Sequence, residues 1–307
     1  DDAMALAYAL GSPNIDLIAV TTVYGNVSRN TSIRNTLDLL QLLGRSDIPV
    51  YAGNDRTTGA KEAYKADIVV EEIHGKNGIG NVVIPKSSKD VQKGNAADFI
   101  IESAKKYGKE LYFVATGPET NLAEVLDKDP KFGDKVGNIV VMGGALIVEG
   151  NMNHYAEANI NNDPVASNKI FTSGTHLTMV GLDVTHRTLL TKEDTQKWRA
   201  LGTESGKAFA DIVDHYITWE VAHQPVLTGC ALHDPLAVAV AVQPEFVTTW
   251  KLPMKVGTTK GDWGRTVADV AKLNDPSAAT VEVAVDVKVK DFVTDFNKIL
   301  TDLFSKN

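Results

Sequence analysis

The sequence predicts an α/β protein: one domain over residues 1–307, with a mostly parallel, Rossmann-like sheet, helices on both faces and a few antiparallel edge strands. Three observations predict it. Short apolar, β-branched runs (IDLIAVTTV at 15–23, LYFVA at 111–115, NIVVM at 138–142, LTMV at 177–180) alternate with longer helical patterns. Several of the runs end in small-residue turns: YGN, TGP and GG. No internal repeat, low-complexity tract or linker interrupts the cycle.

Taken in order, Asp1 and Asp2 stand directly before AMALAYAL, an Ala/Leu run that reads as a helix. Two acids at a helix start suit its unpaired N–H groups and its positive end. They equally suit a hard cation held by oxygen ligands. Residues 15–23 read as a strand buried on both faces, followed by the YGN turn and a helix over 31–43. A short strand at 49–51 ends at Gly53, and a polar stretch leads to GKNGIG at 75–80. That order is GxxGxG with no strand directly before it, so it is not a dinucleotide loop.

A helix over 95–107 leads to strand 111–115, turn 116–118 and helix 120–126. Strand 138–142 exits through Gly143-Gly144 into a long polar loop, and Asp163-Pro164 starts a helix over 163–173. Strand 177–180 follows, then a largely helical region over 191–221 and a helix over 236–242. Residues 247–256, 266–271 and 280–289 read as paired edge strands, the last alternating cleanly as VEVAVDVKV. Residues 291–304 form a closing amphipathic helix.

The hydrophobic fraction of 43% and charged fraction of 23% are those of an ordinary globular protein. A net charge of -8 argues against nucleic acid or an anionic membrane as partner, while a neutral nucleoside or sugar needs no basic field. The one cysteine, Cys230, cannot form an internal disulfide, which suits a reducing, cytoplasmic setting. No apolar stretch approaches the roughly 18 residues of a membrane span. Walker, HExxH, CxxC and GxSxG patterns are all missing.

Ligands of open α/β sheets bind at the carboxyl ends of the strands. Those exits carry Asn26, Thr116, the stretch from Met142 to Asp163, and Asp183. The amides of Asn26, Asn151, Asn153, Asn159, Asn161 and Asn162 offer donors and acceptors without charge, and Glu157 and Asp163 add acids, so a sugar fits better than a phosphate. A loop as long as 151–164 is more often functional than idle. His233-Asp234-Pro235 reads either as a structural cap or, beside a metal, as a ligand next to a candidate general acid. Asp2, Asp234 and a backbone carbonyl would make an all-oxygen site suited to calcium.

Together these stretches resemble the inosine–uridine-preferring nucleoside hydrolases, calcium-dependent N-ribohydrolases. The resemblance covers essentially the whole chain. It rests on Asp1-Asp2 as the end of DxDxGxDD, TTVYGN at 21–26, HGKNGIG at 74–80 and ATGPETNLA at 115–123. It continues through VMGGA at 141–145, AEANINNDPVA, LDVTH at 182–186 and LHDPLAVA at 232–239. The resemblance implies cleavage of ribonucleosides to base and ribose through an oxocarbenium-like transition state, with a calcium-bound water as nucleophile. It implies Ca2+ ligation by Asp2, the Thr116 carbonyl and Asp234, and catalytic roles for Asp1 and His233. Asp1, Asn26, Asn151, Glu157 and Asn159 would hold ribose hydroxyls, with Met142 beneath the sugar and His74 and His233 near the base. A homodimer or homotetramer is implied as well.

Two departures stand out. The first Asp of the motif, usually a metal ligand and the water-activating base, lies before residue 1, and our expectation is that it belongs to the intact gene product together with a first strand. Ala158 replaces the aromatic residue of AEFNI, which would loosen the pocket. The stretch holding Asp214, His215, Tyr216, Trp219, His223 and Gln224 either closes over the base or forms a surface helix pair. The rival reading is a catalytically impaired nucleoside- or ribose-binding protein. A dinucleotide-dependent oxidoreductase would need a glycine fingerprint after a strand, and none is found.

Overall fold

Side chains alternate across β4 (Asn138–Met142), and that alternation makes a two-faced core. Val140 and Met142 join an apolar cluster with helices Asp2–Gly11, His233–Val242 and Val289–Phe304. Ile139 and Val141 join the cluster beneath helices Ala96–Tyr107, Thr120–Lys128 and Pro164–Thr172. The computed structural model describes residues 1–224 and 226–307.

The remaining strands are β1 (Val20–Thr22), β2 (Val50–Ala52), β3 (Tyr112–Ala115), β5 (Thr178–Val180), β6 (Leu189–Leu190), β7 (Cys230–Ala231), β8 (Val247–Leu252), β9 (Met254–Val256), β10 (Thr266–Ala268) and β11 (Val281–Val287). The central sheet runs β3-β4-β5-β11-β8, parallel except for β8, which lies antiparallel on β11. β1 and β2 form a separate parallel pair, β6 with β7 and β9 with β10 antiparallel ones. The α/β class, the mostly parallel sheet and the helices on both faces agree with the expectation.

Several boundaries differ. The run over 280–289 is no edge: β11 lies between β5 and β8. Its alternation reflects Val281, Val283 and Val287 turned inward while Glu282 and Asp286 stay accessible. The expected strand over 15–23 narrows to β1, because its ladder is with β2 alone and β2 is three residues long. Pro253 divides 247–256 into β8 and β9, since proline cannot donate to a ladder. The polar stretch before GKNGIG contains a helix, Ile68–His74, that the sequence pattern did not signal.

A cavity of about 1120 Å³ opens between β1 and β3 and runs to the amino end of helix Asp2–Gly11. The GKNGIG segment lies on its rim. Gly78 has a φ of +77°, and a Cβ there would stand 2.5 Å from Val27 Cγ1, so only glycine lets this turn sit on the loop after Asn26. Among the described residues, no helix is long and apolar enough to cross a membrane.

Candidate active site

Neither opening acid acts as a cap. Asp1 is the N-cap residue of helix Asp2–Gly11, yet its side chain accepts no bond from the helix. Helix His233–Val242 begins at His233, three residues earlier than its apolar pattern suggests, and Leu232 before it makes no side-chain cap either. The carboxylates of Asp1, Asp2 and Asp234 therefore remain available. They converge, with one oxygen of each within 4.8 Å of the others. Asp2 Oδ1 accepts a 3.2 Å hydrogen bond from Thr116 Oγ1, which anchors the cluster at the exit of β3.

Burial and the nearby Asp2 carboxylate hold the Asp234 carboxyl well above its ordinary range. Like charges gathered in a partly buried place are unfavourable, and a cation relieves them. Three carboxylates with the Thr116 carbonyl at the same strand exit make a donor set of oxygens alone, the chemistry of a calcium site. The residues present fit that ion.

The exit of β4 supplies the neighbouring wall. Glu157, buried at 2% exposure, uses both carboxylate oxygens on backbone: Oε2 accepts from Gly144 N (3.0 Å) and Ile160 N (3.1 Å), Oε1 from Asn159 N (2.8 Å). It caps the short helix Ala158–Asn162. Asn159 Nδ2 in turn donates to the Met142 carbonyl (3.0 Å) and lies 3.4 Å from the Thr116 carbonyl. One amide thus links the exits of β3 and β4. Asn26 is half-buried and lines the cavity. Asn151 sits on the exposed loop, and its Oδ1 accepts from Ala158 N at 2.9 Å, so it positions the start of the helix that carries Asn159.

Histidines gather beside the acidic cluster, His233 directly preceding Asp234. His233 is buried and shares a 2.7 Å hydrogen bond between Nδ1 and Thr185 Oγ1. Its ring lies 5.5 Å from that of His186. Burial, reinforced by His186, holds the His233 pKa well below its ordinary value, so the ring is neutral near pH 7. His74 lines the cavity 5.6 Å from the Tyr216 ring, and burial pushes its pKa down to about 3. Helix Glu204–His223 brings His215 and Tyr216 to the cavity wall.

Sequence reasoning passed over Thr266, which shapes this wall. The buried Thr266 hydroxyl accepts from Ala145 N (2.9 Å) and donates to Ala145 O (2.8 Å), fixing the backbone beside Gly144. A threonine in a β-branched run carries no mark of that role. Asp183 accepts from Leu146 N (2.9 Å) and Ile147 N (2.7 Å), steadying the start of the long loop. Asp163 is the cap expected of Asp163-Pro164, accepting from Ala166 N at 3.1 Å.

Comparison with known proteins agrees on one family. The family described as inosine-uridine preferring nucleoside hydrolase matches residues 1–294. The chain is 36% identical over 296 residues to the pyrimidine-specific ribonucleoside hydrolase RihA of Citrobacter koseri, covering 95% of this chain and 92% of that protein. It is 36% identical over 271 residues to uridine nucleosidase 1 of Arabidopsis thaliana, covering 88% and 79%. Among solved structures it is similar to a purine-preferring ribonucleoside hydrolase from Gardnerella vaginalis, with a TM-score of 0.97 and 46% identity over 100% of this chain and 96% of that one.

Proposed function

The chain belongs to the inosine-uridine preferring nucleoside hydrolase family and is a ribonucleoside hydrolase; from that premise we propose that calcium at the Asp1–Asp2–Asp234 cluster supports its chemistry. The observation that carries this reading is the convergence of three carboxylates that cap no helix, with Thr116 bonded to Asp2 through its hydroxyl. Asp2, Asp234 and the Thr116 carbonyl would hold the ion. When bound, such a cation orients a water and lowers its pKa.

The chain's own groups do the rest. Asp1, Asn26 and Asn159 bind ribose hydroxyls, and Glu157 holds Asn159 in place through its backbone N–H. Leaving of the base builds positive charge on the ribose ring. Carboxylates and amide oxygens fixed around the sugar favour that charge over the neutral ground state. A cluster carboxylate accepts the proton that the attacking water gives up as its oxygen bonds to the anomeric carbon. His233, kept neutral by burial, donates a hydrogen bond to the departing base and disperses the electron pair that the base carries away.

The named relatives divide between pyrimidine, uridine and purine substrates, so ribose recognition is their common element and the base end is where they differ. The measurement that tests the proposal is ribose release from inosine and uridine with calcium and with a chelator. Release that stops on chelation and returns with calcium supports it. Release indifferent to chelation overturns the metal role, and nucleoside binding without release favours the binding-protein alternative.

The role of His233 has its own test. His233→Ala slows inosine cleavage by about 100-fold, an ordinary contribution for a proton-side group. It slows p-nitrophenyl riboside much less, because nitrophenolate leaves without help. Equal losses on the two substrates would remove His233 from the leaving-group side.

A further inference from the structure

One buried acid is used by none of this chemistry. Glu119 lies directly before helix Thr120–Lys128, 1% exposed, with no ion pair among the described residues. Its Oε2 contacts Ser167 Oγ, and its Oε1 is buried without a hydrogen-bond partner. Gly143 makes room for it, since a Cβ there would stand 3.0 Å from Ile160 Cδ1 and 3.3 Å from Glu119 Oε1. The carboxyl therefore backs onto the backbone between Met142, expected under the ribose, and Gly144, the partner of Glu157.

The hydrogen-bond inventory accommodates a neutral acid. Ser167 Oγ also lies 3.0 Å from the Asp163 carbonyl, an acceptor only. A serine hydroxyl has one hydrogen. With that hydrogen on the Asp163 carbonyl, the Glu119 contact is satisfied when the carboxyl carries a proton and donates it to Ser167 Oγ. The ionisable groups facing Glu119 agree: Glu157, Asp163 and the Tyr24 phenol, which bonds Thr120 Oγ1, are acids without exception.

Resting on the reading of this pocket as a ribose-holding hydrolase site, we infer that Glu119 is a positioning residue, a neutral carboxylic acid that sets the Met142–Gly144 backbone and so the Glu157–Asn159 pair. Burial, opposed by Ser167 and reinforced by Glu157, pushes its pKa up to about 8. Above that pH an ionised Glu119 stands next to Glu157 with no cation to offset it, and the backbone between them is displaced.

The experiment is a pH profile of kcat/KM on inosine for the calcium-saturated wild type and for Glu119→Gln, with melting temperatures over the same range. The amide keeps the size and the donor but cannot ionise. The wild type loses activity about tenfold per pH unit above pH 8, the slope of a single ionisation, and Glu119→Gln lacks that limb. In the unfolded chain Glu119 ionises at an ordinary carboxylate pKa, whereas in the folded protein it does so only near pH 8. The wild type therefore melts progressively lower relative to the variant as pH rises from about 5 to 8.

An alkaline limb shared by both proteins, parallel melting temperatures, or a folded Glu119→Gln already inactive at pH 7 would each overturn the inference. A wild type that releases no ribose would sink the site reading and the positioning role with it, while the melting curves would still report whether Glu119 holds its proton.

Discussion

Asp234→Ala abolishes nucleoside hydrolysis and calcium binding together. The expected fall in kcat/KM is about 1000-fold or more, the scale of losing a preorganised electrostatic group from a desolvated site. Asp234 is buried at the start of helix His233–Val242 and shares its surroundings with Asp2. Its carboxylate bonds no helix N–H, so its removal leaves no orphaned donor behind. It instead relieves a buried repulsion. In the presence of chelator the variant accordingly melts no lower than the wild type. Calorimetric calcium titration and inosine turnover check the claim together. A variant that still binds calcium with wild-type affinity would sink the ligand role, and one that melts far lower without metal would show that Asp234 serves the fold.

Glu157→Ala has the second largest effect, with the opposite balance. Here the carboxylate serves three backbone N–H groups, those of Gly144, Asn159 and Ile160, in a place sealed from water. Truncation leaves all three unpaired and opens a small void, at a cost of about 3–5 kcal/mol. For a chain of this length that lowers the melting temperature by roughly 10 °C. Activity falls too, by about 100-fold, because Asn159 loses the bond that fixes its backbone and a displacement of about 1 Å is enough. Differential scanning calorimetry beside inosine kinetics separates the parts. An unchanged melting temperature with lost activity would place Glu157 on the substrate alone.

Much of this was legible before any coordinates. The period of two in VEVAVDV and the clustered leucines of helix Arg29–Leu42 are local signals, and each produced an element near its expected place. Asp163-Pro164 produced its cap for the same reason: a cap is an interaction over three residues. What failed was non-local. Residues 280–289 read as an edge because alternation reports a half-exposed face, while a strand's neighbours are set by the order in which the chain crosses the sheet. Helix Ile68–His74 escaped notice because it is only seven residues long and two of its four apolar residues, Ile68 and Val69, are exposed, leaving Val70 and Ile73 too short a stripe to show a period.

The site divides along the same line. The sequence by itself determined the family, the strand exits that carry the polar residues, and the residue types suited to a hard cation and a neutral sugar. Those are properties of short motifs, each readable within a few residues. Only the tertiary structure decided that Asp1 and Asp2 meet Asp234 from the far end of the chain and that none of the three is consumed as a cap. Only the fold, likewise, set Glu119 against Ser167 and Gly143, where burial rather than any motif governs its charge. The reason is physical. Backbone periodicity and capping act over one helical turn, whereas desolvation and the meeting of like charges depend on which distant segments the packed core brings together.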